Sequence, residues 1–231
     1  FFAVSKDVVS KMIAGELTAA QAYQAFNAKL LAEEEPADNE TVLTSGKAYS
    51  NVFHANGGSA AFSVMANTLR GVYGTDVLLA TANSFTGSVL QADYNQKMAA
   101  SMIMPNGLMS RQRTMTGAEL KETVRAFVEG CEGGFVPFNH GSLPVVSGIA
   151  VEVKEANGSY TLTDITRNGQ PLGDGDTVTV TCLATEKQME ALLASDSGTS
   201  AGEDAWVKNT WRDYVSGGAA LAEPENYMTL R

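Results

Sequence analysis

The chain has 231 residues, 44% of them hydrophobic, enough to bury a real core in one large domain or in one domain with an appendage. Its net charge of -10 argues against polyanionic partners, because a nucleic-acid backbone or an anionic membrane surface would repel it. No run of about 18 apolar residues occurs, so no membrane-inserted helix is expected. The opening FFAVS lacks an initiating Met and is read as the start of a processed or excised piece, which leaves the compartment undecided.

Residues 5–35 read as two helices, with Val8, Val9, Met12 and Ile13 on one apolar face and Leu17, Ala22, Phe26, Leu30 and Leu31 on the next. Gly15 breaks them, Thr18 with Gln21 forms a capping box, and Pro36 follows the second. A polar link leads to SAAFSVMANTLRGVYG, a helix with Phe62, Met65, Ala66, Leu69 and Val72 on one side, closed by Gly71 and Gly74. Asp76–Ala80 then reads as a buried strand, and Asn83-Ser84-Phe85-Thr86-Gly87-Ser88 as a polar loop after it.

The next helix starts at the capping box Thr116-Gly117-Ala118-Glu119, buries Leu120, Val124, Phe127 and Val128, and stops at Gly130. Beyond it VVSGIAVEVKEA, SYTLTDITRNGQPL and DTVTVTCLAT read as a β-meander, with tight turns at Asn157-Gly158 and Asn168-Gly169. Two short helices, ATEKQMEALLAS and EDAWVKNTWRDYV, close the chain around a loop, SDSGTSAGED. In the last helix Trp206, Val207, Thr210, Trp211 and Val215 share a side. Helix, strand and polar loop in succession indicate an α/β (α+β) fold of mixed β-sheets flanked by helices. A helical hairpin at 1–40 precedes a main domain at 41–231.

The succession FSVMANTLR, DVLLATANSFTGS, MPNGL, MTGAELKETV, PVVSGIAVEV, RNGQPLGDGDT and VTVTCLAT resembles the C-terminal domain of the 5'-nucleotidase family. That family has a helix and strand, an Asn-Gly-Gly-Gly-Ile-Arg loop, a Pro-Phe-Gly-Asn turn, Leu-Thr-Gly-x-x-Leu-Lys, a Ser-Gly strand and an Asn-Gly-Lys-Pro-Leu hairpin, in the same order. Each piece alone is weak and the ordered set is specific. The resemblance implies a domain that grips a nucleoside while a separate, upstream metallophosphoesterase domain hydrolyses the phosphoester with divalent metals. It also implies an extracytoplasmic protein, secreted, cell-surface or periplasmic. The N-terminal hairpin suggests a different kind of upstream neighbour.

Carried over residue by residue, the resemblance places candidate ligand contacts at Asn83, Phe85, Thr86 and Ser88 of the loop, Asn106 of the turn and Gly148 of the Ser-Gly strand. Asn83 keeps the loop amide, but Ser88 stands where the family has Arg and Asn106 where a Phe stacks on the base. The second stacking Phe and a Gly-Gly-Asp tail, expected after Leu183, are replaced by ATEKQMEALL. Two lost rings at about 1 to 3 kcal/mol each, with the Arg, amount to a few orders of magnitude in affinity. Phe85 offers either a new stacking face or a core side chain.

His54 in FHANGGSA fits either an anion-binding nest before a helix or a Gly-rich connector. His140 beside Asn139 and Ser142 reads as a surface loop, Arg111 and Arg113 as a strand's solvent face, and GDGDT as a hairpin turn lacking the ligands of a calcium loop. Neither histidine lies in an Asp-x-His, Gly-Asn-His or Gly-His-x-His context, so the clustered ligands of two-metal hydrolysis are missing from the sequence. No catalytic residue, metal ligand or cofactor is expected in this chain. Cys131 and Cys182 fit either a disulfide or two buried thiols.

Overall fold

The computed structural model describes residues 11, 13–16, 40–104, 107–129, 144–157, 159–185 and 198–231. Two compact units divide the chain, Phe1–Glu40 and Thr41–Arg231. In the first, Lys11 and Ile13 are helical and Gly15 takes φ +73°, while the Glu16 N–H donates to the Lys11 carbonyl at 2.9 Å. This is the left-handed closure that ends a helix where a glycine allows it. The rest of the expected hairpin lies outside the described residues.

The second unit begins with strand β1 (Thr41–Ser45) and reaches helix α1 (Ala60–Tyr73). Ser59 caps α1 by accepting from the Phe62 N–H, and Gly74 ends it at φ 65°. Strand β2 (Val77–Thr81) is buried on both faces, because it runs through the middle of a sheet covered on each side. β3 (Ala92–Asn95) pairs antiparallel with β1, and a short helix, α2 (Gln96–Ala100), follows it. β4 (Leu108–Thr116) then runs into α3 (Gly117–Glu129) through the capping box read from the sequence. The Thr116 N–H donates to Glu119 Oε2 at 2.7 Å and the Glu119 N–H to Thr116 Oγ1 at 3.2 Å.

Strands β5 (Pro144–Ser147), β6 (Ala150–Ala156), β7 (Ser159–Arg167), β8 (Gln170–Pro171) and β9 (Thr177–Thr185) follow. They do not form one meander. β5 pairs with β2 and β9 lies between β2 and β4, whereas β6, β7 and β8 build a separate four-stranded sheet closed by β12 (Met228–Leu230). The apolar stretch VVSGIAVEV therefore changes sheet at Gly148, whose φ of +82° turns the chain. Asn157 and Asn168 take φ 54° and 53°, as hairpin-turn asparagines do.

SDSGTSAGED is more than a loop where it is described, because β10 (Thr199–Ser200) pairs with β4. β11 (Ala205–Trp206), in the stretch read as the start of the last helix, also pairs with β4, giving a six-stranded sheet ordered β10-β4-β9-β2-β5 with β11 also on β4. Helix α4 (Val207–Ser216) buries Val207, Trp211 and Val215 as expected. Trp206 does not join them and is 49% exposed, because it precedes the first helical turn in extended conformation. The Trp211 indole N–H donates to the Ala99 carbonyl at 2.8 Å and fixes α4 on α2. Cys182 is a buried free thiol whose pKa burial pushes up to about 12. Cys131 lies outside the described residues.

The tail after α4 runs along α1 before ending in β12, beside β6. Buried polar side chains on α1 are satisfied by it: Ser63 Oγ donates to the Glu225 carbonyl, Asn67 Nδ2 to the Glu223 carbonyl, each at 2.9 Å, and Thr68 Oγ1 accepts from the Ala222 N–H. Without the tail the Ser63 hydroxyl would lose its bonds to Glu225 and the Asn67 Nδ2 its acceptor, while Thr68 would keep only its bond to the Val64 carbonyl.

Candidate functional site

The loop read from the sequence leaves the carboxyl end of β2 through a single 3-10 turn, Ala82–Ser84. It is pinned along its length. The Thr86 N–H donates to the Met102 carbonyl and the Met104 N–H to the Ser84 carbonyl, each at 3.0 Å, with Phe85 bridged to Ile103 between them. Phe85 is 5% exposed and stacks on Phe62 of α1, with ring centroids 6.0 Å apart and 29° between planes. Its ring is a core side chain, and neither face is open to a base. Ser88 Oγ accepts from the Asn51 N–H at 3.1 Å and donates to Asn51 Oδ1 at 3.0 Å. Asn83 and Thr86 are exposed, and the loop has no charged side chain.

Through Asn51 the loop is tied to the segment carrying His54. There the His54 and Gly58 backbones exchange two hydrogen bonds of 3.0 Å, and the His54 side chain is exposed. Asn106 and His140 lie outside the described residues. Gly148 belongs to the other end of β2, about 16 Å away for a five-residue strand. The structure thus brings Asn83, Phe85, Thr86, Ser88 and the His54 segment together, and sets Gly148 apart.

Arg111 is more than a solvated strand residue: Nε and Nη2 both contact the Asp204 carboxylate, at 3.0 Å and 2.6 Å to Oδ2. GDGDT forms a tight turn, with the Gly173 N–H donating to Asp176 Oδ2 at 2.8 Å. It docks on the start of α3 through the Gly117 N–H to Asp176 carbonyl bond of 2.7 Å. Among the described residues no group of three or more His, Cys, Asp or Glu side chains is placed to hold a metal ion. The donor set described here does not fit the divalent pair that the family resemblance implies for its catalytic domain.

At the amino end of β2 lies a cleft of about 440 Å³ that the sequence reading missed, lined by residues of the α1–β2 turn, the β5–β6 turn at Gly148, the β7–β8 hairpin and the tail. Asp76 is its best-anchored group. The carboxylate accepts from the Thr179 N–H at 2.8 Å and the Thr179 hydroxyl at 2.9 Å, and it pairs with Arg167. Burial opposes its charge, but Thr179, Arg167 and Arg70 outweigh that and hold its pKa below the ordinary value. Arg70 donates from Nε to Ser147 Oγ at 2.8 Å, and Ser147 donates in turn to Asn67. Arg70 and Arg167 stand at element ends in the sequence, and nothing local signals that those ends converge.

No family model matches the chain, and no curated protein matches it in sequence. Solved structures do match in fold. A 5'-nucleotidase precursor from Thermus thermophilus has a TM-score of 0.63 at 13% identity, over 92% of this chain and 43% of that one. A sulfate thiohydrolase from the same species, in complex with glycerol, gives 0.65 at 14%, over 94% and 40%. An NAD nucleotidase from Haemophilus influenzae gives 0.59 at 16%, over 99% and 46%. The chain therefore spans less than half the length of each. Its fold is that of the C-terminal domain of 5'-nucleotidase-family proteins.

Proposed function

We infer that this chain is a nucleotidase C-terminal-type domain whose nucleotide loop has become part of the scaffold, serving as a non-catalytic binding or structural module of a larger extracytoplasmic protein. In this reading residues 1–40 form a helical extension and residues 41–231 the module itself. The observation that carries it is the state of Phe85. The one aromatic ring in the loop is buried against Phe62, the backbones of Ser84 and Thr86 bond to Met104 and Met102, and Ser88 bonds to Asn51. With Ser88 in place of the family's Arg, no fixed cation in the loop meets a phosphate or ribosyl group. Calorimetric titration with adenosine, guanosine and uridine, nucleosides that carry no phosphate for the cleft at the other end of β2, tests it. No saturable heat is expected, and micromolar affinity for any of the three would overturn the reading.

A second reading has one observation in its favour. This chain is matched over 99% of its length by 46% of an NAD nucleotidase chain. The module would then be the substrate-recognition half of a phosphohydrolase with its metallophosphoesterase domain upstream in the same polypeptide, and the altered loop would select a smaller or less charged substrate. The sequence preceding Phe1 in the complete polypeptide decides it. A metallophosphoesterase pattern there supports the reading, and an unrelated domain removes it.

A further inference from the structure

We propose that the cleft at the amino end of β2 is a binding site for a compact organic anion, carboxylate or phosphate, held by Arg70 and Arg167. The site is built from the interior outward. Asn67, 5% exposed, donates to the Glu223 carbonyl and accepts from Ser147, 0% exposed, which accepts from Arg70 Nε. A buried relay of two side chains therefore orients one guanidinium and leaves its terminal nitrogens toward the cleft.

Those nitrogens are poorly occupied. The acidic group nearest Arg70 in an ion pair is Glu225, at 3.9 Å and with its side chain 53% exposed, too long for a charge-assisted hydrogen bond. Arg167 is paired through Nη2 with Asp76, whose remaining capacity goes to Thr179, so that pair is a fixed wall with further guanidinium donors to spare. Asn168, at the hairpin tip, and Asn226, on the tail, add exposed amides at the rim.

The ligand class follows from the lining. A fork of two arginines matches the oxygens of a carboxylate or phosphate, which would displace Glu225 as the partner of Arg70 at normal hydrogen-bond distance. No aromatic side chain lines the cleft, so a nucleobase has nothing to stack on, and a volume of about 440 Å³ suits a small molecule. The site is distinct from the loop after β2 and stands whether or not that loop binds nucleosides.

The test is an amide-resolved NMR titration of the whole chain with sodium phosphate, ribose 5-phosphate and citrate, against sodium chloride at matched ionic strength. Saturable shifts at Gly148, Asn168 and Gly169 are expected with at least one of the three. Preference for the phosphates marks a phosphoryl ligand, and preference for citrate marks a carboxylate. Arg70→Gln should weaken that binding about tenfold or more, the loss of one charge-assisted pair. Glu225→Gln should tighten it severalfold by removing the competing carboxylate. Shifts that never saturate, that sodium chloride reproduces, or that a folded Arg70→Gln variant retains in full overturn the proposal. Should Arg70→Gln fail to fold, Glu225→Gln decides, and unchanged or weaker binding overturns it.

Discussion

A methyl group placed on Gly148 would lie 2.0 Å from the Asp76 carbonyl oxygen, and the backbone there has φ +82°. Both facts act in one direction, so Gly148→Ala is expected to cost at least about 1 to 3 kcal/mol, read by urea denaturation. The strain matters because the same residue carries the chain from the six-stranded to the four-stranded sheet. Phe85 gives the complementary case. As a buried ring on Phe62 it should lose about 3 to 5 kcal/mol on Phe85→Ala, whereas a ring serving a ligand would cost little stability when removed. Asn83 and Ser88 were legible as loop positions from the sequence order alone. The fate of Phe85 was not, since a Phe among small polar residues is compatible with either role until Phe62 is known to lie beneath it.

Elements with strong local signals were read well, for physical reasons. The capping box at Thr116 and Glu119 and the periodic apolar face of α3 are interactions within a few residues, so they are visible in a short window. Thr116→Ala should destabilise the unit by about 0.5 to 2 kcal/mol in chemical denaturation. Glu119 does more than cap: its Oε1 accepts the Gly198 N–H at 3.1 Å, holding the strand segment that pairs with β4. What escaped notice were β1, β3, β12 and the short pairings of Thr199–Ser200 and Ala205–Trp206. Each is two to five residues long and is made a strand by a partner distant in sequence. The run through Gly148 likewise hides a change of sheet, because the fully buried β5 and the alternating β6 both read as strand in a short window.

For the whole molecule, the two ends of β2 divide the functional question. One end carries the loop that the family resemblance marks, closed by backbone hydrogen bonds to residues 102–104. The other carries a polar cleft whose residues come from four separate segments, a convergence that no local pattern in the sequence announces. Asp76 couples that cleft to stability. Its carboxyl is held below the ordinary value of 3.8, so the folded state takes up its proton less readily than the unfolded chain. The resulting stabilisation is complete above about pH 4 and is lost as pH falls through the folded-state value. Asp76→Asn should therefore lower the melting temperature at neutral pH and lose less of it on acidification than the parent chain does.

The loop after β2 is part of the scaffold and needs no ligand to order it. Hydrogen exchange followed by NMR at the Thr86 and Met104 amides, with and without AMP, measures this directly. Both N–H groups are expected to be protected in the free chain, in step with the β2 amides, and unchanged by AMP. Rapid exchange in the free chain that slows when AMP is added would show a live nucleotide loop and contradict the account.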